Sequence, residues 1–241
     1  MTALPCPVTT ATTMNERGYA VVPDFLSSGQ LEEAVRFVRE AVGQSGREYV
    51  GFDGTTQLAG TVFGRLGRDG VFLSLLHELW SLKTGASPPR QEVYHILRCL
   101  AGESGQANSM RFHYDSYVVT AVVPVIVPAS AGTITGRLVL LPKRRPIRRS
   151  YPRNVADKIL IESSWSQRRF KRRHAAGGLT KVELHPGHLV LFWGYETGHT
   201  NEACDPTAIR ATAIYHFGEP HADAPTRRLA SRVRRRPTLV P

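Results

Sequence analysis

From residue 92 onward, apart from one basic interruption, the chain cannot be built from long helices. Six runs, "EVYHILRCLAG", "YVVTAVVPVIVP", "RLVLLP", "TKVELHPG", "HLVLFWG" and "IRATAIYHFG", are short, rich in β-branched and aromatic residues, and separated by Gly, Pro, Asn or Asp. Branched and aromatic side chains pack well on a pleated surface and the separating residues favour turns, so each run reads as a strand. Two helical patterns precede them. "SSGQLEEAVRFVREAV" places Leu31, Val35 and Val38 on one face behind a cap at Ser27 or Ser28, and "GVFLSLLHELWSL" (70–82) is core-facing almost all round. A short β-like run and a turn at Pro23-Asp24 come before the first helix, and 47–70 is Gly-rich and weakly patterned. Many short strands after two helices predict a mainly β chain, a sandwich or barrel with flanking helices outside it.

The 241 residues suffice for one domain with a real core, and we expect a loose leader over 1–15, a single domain over 16–220 and a basic tail over 221–241. The formal charge of +11 belongs to two segments. Residues 143–173 hold twelve Lys/Arg against Asp157 and Glu162, and "RRLASRVRRR" (227–236) holds six Arg, so the remainder is mildly acidic. The first segment lies within an insertion over 143–179 that interrupts the strands, with a helix expected from about 153 to 173. No apolar run is long enough to span a membrane, and the N-terminus lacks both a basic start and an apolar signal core, which predicts a cytoplasmic protein. Cys6, Cys99 and Cys204 are odd in number and far apart, a pattern of idle thiols rather than of a disulfide or zinc framework.

Chemistry enters at "MRFHYDSYVVTAVVPVIVP" (110–128). Along a strand residues i and i+2 point the same way, so His113 and Asp115 project together. An imidazole and a carboxylate side by side are two ligands of a divalent metal, or a hydrogen-bonded pair at a strand start. Downstream, "GHLVLFWGYETGHTNEACDPTAIRATAIYHFG" supplies His199 after an apolar strand and Arg210 at the head of the next, with Thr212 on the same face. A third ligand at His199 completes a two-histidine, one-carboxylate triad of the kind that leaves open positions on non-haem Fe(II). An inward guanidinium on an apolar strand asks for an anion, and its fork matches a carboxylate. His216, on the face of Arg210, is the main rival to His199. His185 and His188 in "HPGH" flank a turn and are not favoured as ligands.

These residues resemble the Fe(II)/2-oxoglutarate-dependent dioxygenases, and within them the phytanoyl-CoA-hydroxylase-like group. The match is His113-x-Asp115, His199, Arg210 and Thr212, together with the opening "GYAVVPDFLSSGQLEE", and it spans about residues 16–220. The resemblance implies a double-stranded β-helix, or jelly roll of cupin-like type. It implies Fe(II) held by His113, Asp115 and His199 as the catalytic centre, 2-oxoglutarate bound through Arg210 and Thr212, and O2 as oxidant. The outcome would be a hydroxylated C–H bond, succinate and CO2; a carboxylate at 115 disfavours halogenation. Thr120, Tyr94 and Arg98 are further candidates for the cosubstrate pocket, Thr120 only if a bulge turns it to the face of Asp115. The spacing from Asp115 to His199 is long for the family, and the basic insertion accounts for the excess.

The insertion has three readings besides a solvated face: over the barrel mouth receiving an anionic small-molecule substrate, against an anionic membrane, or, ranked last, on nucleic acid. Drawn as one helix, Val155, Ile159 and Phe170 share a stripe opposite Ile161 and Trp165. Arg144, Arg145, Arg148, Arg149, Trp165, Trp193 and Tyr195 are the candidate contacts for substrate or membrane, with wall or core the favoured place for Trp193 and Tyr195. "LFWGYETGHTNEACDP" and the basic helix together are similar to members that act on the acidic sugar Kdo of lipopolysaccharide at the inner membrane face. A natural-product tailoring oxygenase has the same core, and a jelly-roll binding protein with a vestigial metal site is the reading from another class. Oligomeric state leaves no mark in the sequence.

Overall fold

The computed structural model describes residues 4–46, 48–107, 109–130, 133–205 and 207–225. The chain opens with helix α1 (Pro7–Arg17), strand β1 (Ala20–Val22), helix α2 (Ser28–Gln44) and strand β2 (Val50–Asp53). Helices α3 (Gly54–Gln57), α4 (Val62–Leu66) and α5 (Gly70–Thr84) follow, then β3 (Tyr94–Leu100), α6 (Gly102–Ala107) and β4 (Val119–Ile126). A hairpin of β5 (Ala129–Ser130) and β6 (Thr133–Ile134) leads to β7 (Leu138–Leu140) and to helices α7 (Tyr151–Glu162) and α8 (Ser164–Ala175). Strands β8 (Thr180–Val182), β9 (Leu189–Phe192), β10 (His199–Asn201) and β11 (Arg210–Phe217) complete it. Helices hold more residues than strands, so the expectation of a mainly β chain is corrected to a mixed α/β one.

Local signals account for most boundaries. Ser27 caps α2, and with Gln30 it forms a reciprocal capping box. Asp69 caps α5, which stops at Gly85, a residue in the left-handed region. The loose leader expected over 1–15 is overturned from Pro7 on. Pro7 sits in the first turn of α1, where its missing N–H costs nothing, Gly18 closes the helix, and Met14 is wholly buried against the core.

All pairings are antiparallel, in a six-stranded sheet of order β1-β9-β4-β11-β3-β2 and a three-stranded sheet of order β10-β7-β8. A bridge between His113 and His199 adds the 113 segment to the free edge of β10. From β3 the chain therefore alternates between sheets: β3 in the large one, 113 in the small, β4 in the large, β7 and β8 in the small, β9 large, β10 small, β11 large. That winding is a double-stranded β-helix.

Period-2 alternation divides the apolar residues into layers. On β11, Ala211, Ala213, Tyr215 and Phe217 join a core shared with Met14, Val38, Phe63, Phe72 and Leu76 of the N-terminal helices. Its other face, with Val122, Leu138, Leu140, Val190 and Phe192, looks into the space between the sheets. The insertion forms a further layer. Ile161 of α7 and Phe170 of α8 pack with Phe112, Val139 and Leu141 on the outer side of the small sheet. The single helix expected over 153–173 is two, broken at Ser163, whose extended backbone caps α8. The drawn stripes do not survive the break: Ile161 and Phe170, from opposite stripes, both pack inward, while Ile159 and Trp165 are exposed. Burying each of these large apolar side chains contributes roughly 1.5–3 kcal/mol.

Candidate metal centre

His113 and His199, 86 positions apart in sequence, are directly opposed in an antiparallel pair, each N–H donating to the other's carbonyl at 3.1 and 3.0 Å. Opposed residues point to one face, and the two ring centroids lie 4.4 Å apart. The N–H of Asp115 donates to the carbonyl of Gly194 at 3.1 Å, which turns its carboxylate toward the same point. His113 Nε2 then lies 3.7 Å from Asp115 Oδ1, and His199 Nε2 lies 3.5 Å from Asp115 Oδ2. One donor atom from each of the three residues falls within 4.8 Å of the others.

The surrounding hydrogen bonds set which nitrogen faces the centre. Nδ1 of His113 lies 3.1 Å from the carbonyl of Arg111, and Nδ1 of His199 lies 2.9 Å from that of Thr197. A carbonyl only accepts, so both Nδ1 atoms carry the proton and both Nε2 lone pairs are directed inward, the tautomer a metal ligand needs. Burial and the neighbouring His199 hold His113 below the ordinary imidazole value, which keeps it neutral. Burial would raise the pKa of Asp115, but His199, His216, His113 and the Thr120 hydroxyl outweigh it and keep the carboxylate ionised. This donor set fits a divalent first-row metal.

His216 is excluded from the triad by its own bond. The Thr120 hydroxyl donates to Asp115 Oδ2 at 2.6 Å, so its oxygen accepts from His216 Nδ1 at 3.1 Å. Thr120 thus joins the site without the bulge expected for it. The stretch between Asp115 and β4 is bent rather than extended, and strand parity does not carry across it. Its partner is the carboxylate ligand. Sequence reading also missed Gly194: a Cβ there would collide with Thr120 Oγ1 and Asp115 Oδ2, so only glycine lets these two meet. Its place between Trp193 and Tyr195, five residues before His199, is the signal the sequence offers.

A cavity of about 190 Å³ extends from the triad between the sheets, lined also by Arg98, Val122, Phe192, Arg210 and Thr212. Arg210 is buried, and its Nε–H donates to the carbonyl of Gly136 at 2.8 Å. Gly136 has φ of +67°, and a side chain there would press on Arg210. Burial pushes the guanidinium down to about 10, which leaves it charged at neutral pH, and among the described residues no carboxylate forms an ion pair with it. Arg98 opposes Thr212 across the β3–β11 ladder and lines the same space. Tyr94 shares the parity of Arg98 but does not line the cavity; it opposes His216 and stacks on it and on Tyr117.

The candidate contacts of the insertion are distributed differently from the sequence expectation. Arg145 is buried and donates to the Tyr195 carbonyl, Asp157 and Asn154 at 2.8, 3.0 and 2.8 Å, with its guanidinium between the rings of Tyr114 and Tyr195. Arg148 holds Asp157 through two bonds, and Arg144 donates to the carbonyls of Met14 and Asn15. These three arginines fasten the insertion to the body. Trp193 and Tyr195 are fully buried and line neither the triad cavity nor the insertion groove. Trp193 donates from its indole to Asn15. Trp165, with Arg169 over its ring, is exposed on a separate groove of about 390 Å³ between the insertion helices and residues 141–148. Arg149 is exposed. The tail arginines 227–236 lie outside the described residues.

No family model matches the chain, and no curated protein is recognisably similar to it in sequence. Solved structures are similar in fold. A prolyl-4-hydroxylase of Pseudomonas putida superposes with a TM-score of 0.54 at 12% identity, covering 88% of this chain and 99% of that one. HygX from Streptomyces hygroscopicus, determined with nickel and 2-oxoglutarate bound, gives 0.55 at 14% identity over 90% and 88%. A protein of the 2OG-Fe(II) oxygenase family from Burkholderia pseudomallei gives 0.52 at 11% over 90% and 92%. The fold is therefore the double-stranded β-helix of 2-oxoglutarate oxygenases. Within that fold the chain carries a two-histidine, one-carboxylate donor set in the cavity between its sheets.

Proposed function

We propose that this protein is an Fe(II)- and 2-oxoglutarate-dependent oxygenase that oxidises a C–H bond of a small anionic molecule. The observation that carries the reading is one cavity holding both halves of the machinery: three convergent donors at His113, Asp115 and His199, and a buried, unneutralised Arg210 beyond them. Bound iron would supply the activation of O2 and the oxidative decarboxylation of 2-oxoglutarate. The chain's own residues orient and insulate. Arg111 and Thr197 fix the imidazole tautomers through their carbonyls, and Thr120 holds Asp115 in place. Arg210 offers the fork of its terminal nitrogens to the distal carboxylate of the cosubstrate, with Thr212 on the same face and Arg98 across from it. Apolar Val122, Phe192 and Ile214 keep the space between these poles from filling with solvent.

Anaerobic addition of Fe(II) and then 2-oxoglutarate should give a weak visible charge-transfer band, lost in His199→Ala, followed in air by stoichiometric succinate. A protein that binds neither would be the jelly-roll binding module with a vestigial site. Within the oxygenase class we read the chain as phytanoyl-CoA-hydroxylase-like and its substrate as an acidic sugar, of which Kdo is the type. Support comes from the sequence resemblance and the excess of cations around the site. The fold likeness to SnoN, an epimerase of nogalamycin biosynthesis (TM-score 0.52, 17% identity, covering 90% of this chain and 87% of that one), favours the second reading, a natural-product tailoring oxygenase. Incubation with each substrate class and mass detection of a product 16 Da heavier or 2 Da lighter separates them.

The partner reading follows from the insertion. No helix among the described residues is long and apolar enough to cross a membrane. The α7–α8 corner exposes Ile159, Leu160 and Trp165 beside Arg168, Arg169 and Arg172, a composition suited to peripheral contact with an anionic leaflet. Co-sedimentation with vesicles containing anionic lipid, but not with neutral ones, tests it; no pelleting at low salt removes it.

A further inference from the structure

The insertion packs on the outer face of the small sheet, and one of its side chains reaches the segment that follows the carboxylate of the donor set. Lys158, on α7, extends to Ser116, the residue after the carboxylate ligand, and its ammonium donates to Ser116 Oγ at 2.7 Å. The groups around it are Asp115, Glu219, Glu162, Arg145, His216 and His221. None of the three carboxylates closes to an ion pair with it among the described residues; Asp115 is engaged by Thr120 and turned to His113 and His199. A hydroxyl is a poor sole partner for a half-buried ammonium, which in such a place is normally matched by an anion.

Position along β11 gives this cation a role. Arg210 stands at the first residue of the strand and His216 near the last, six residues or about 20 Å apart at the rise of an extended chain. Asp115 and Thr120 meet His216 at the far end, where the Lys158 ammonium, on Ser116, acts on the charges of both Asp115 and His216. Two uncompensated cations are therefore found near opposite ends of this face, Arg210 lining the cavity and Lys158 beside the residue that follows Asp115. We propose that Lys158 is a specificity-determining residue that anchors a carboxylate or phosphate of the primary substrate beside the triad, on the side away from Arg210. The proposal rests on the oxygenase reading and adds to it which residue selects the substrate and by what chemistry. α7 is fixed to the body through Asp157 and Arg145, so the ammonium is held in place before the ligand arrives.

Inorganic phosphate is the probe, followed by the width of its 31P resonance on metal-free protein and on protein loaded with Mn(II) and 2-oxoglutarate. Wild type should bind phosphate saturably in both states, with paramagnetic broadening in the second placing it next to the metal. Lys158→Met should weaken this at least tenfold and Lys158→Arg should restore most of it, with both variants keeping the wild-type melting temperature. Ser116→Ala, which removes the tether and keeps the cation, should bind phosphate as wild type does. Equal binding by Lys158→Met and wild type, or loss only in Ser116→Ala, overturns the proposal. Lys158-dependent binding in metal-free protein that takes up no Mn(II), seen by unchanged water-proton relaxation, would sustain the anion site and remove the oxygenase reading instead.

Discussion

Arg210 and Arg145 are both buried arginines, and their surroundings could hardly differ more. Arg145 spends every nitrogen inside the protein, on a carbonyl, a carboxylate and an amide, and lies between two tyrosine rings. Arg210 has one carbonyl and an empty-sided cavity shared with a metal-type donor set. Both began in the sequence as inward or surface cations, and neither burial nor charge tells them apart. Completeness of partnership does: the satisfied guanidinium holds two layers together, and the unsatisfied one faces a cavity with its terminal nitrogens still able to take an anion, as the proposed function requires.

The contrast can be broken most severely at the triad itself. His199→Ala should reduce iron-dependent succinate formation to background, leaving Arg210 with nothing to serve. Arg210→Met should raise the dissociation constant for 2-oxoglutarate by about 30- to 1,000-fold, corresponding to roughly 2–4 kcal/mol for a buried charge pair. Its melting temperature should be unchanged or higher, because an uncompensated buried charge has been removed. Arg145→Met should do the reverse: it should lower unfolding stability by about 3 kcal/mol in denaturant titrations, near the low end for breaking a buried pair because Asp157 keeps Arg148. Cosubstrate affinity of the folded protein should not change. If Arg145→Met instead weakens 2-oxoglutarate binding at constant stability, the division between the two arginines fails.

Smaller effects sharpen the picture. Gly194→Ala should force Thr120 from Asp115 and weaken Fe(II) binding about 10- to 100-fold, the usual cost of losing a group that orients a ligand. Acidification should cost the metal-free protein stability, measured as a falling melting temperature below pH of about 6.5. Burial holds His95, His113 and His216 below their ordinary values, so between that value and their lowered ones the unfolded chain binds more protons and folding weakens as pH drops. A melting temperature flat from pH 7 to pH 5 would contradict the sign.

What was legible in the sequence follows from which interactions are local. The strands β3, β4, β7, β8, β9 and β11 announced themselves through branched and aromatic runs, α2 through its cap and apolar stripe, and α5 through an almost continuous apolar run. Helix α1 did not, because "TTATT" has poor helix propensity and the burial of Met14 against distant residues decides the matter. β10 is three residues long and exists through its partners. At the site, His113, Asp115, His199 and Arg210 could be named because strand alternation and spacing place them. The roles of Thr120, Gly194 and Gly136 could not, since each is defined by an atom on another strand. Reading the insertion as one helix also hid that the break at Ser163 brings Ile161 of α7 and Phe170 of α8 to one side.

Tyr114 stands between two ligands and points the other way, onto the guanidinium of Arg145. The backbone that carries the donors is thus the partition wall between the cavity of the donor set and the basic appendage, which is riveted to it at several points. The ion pairs and carbonyl contacts of Arg144, Arg145 and Arg148 tie the appendage to the body. If the proposed function holds, an incoming molecule would meet on this side an outline set before it arrives, so that shape and charge already in place would do much of the selecting.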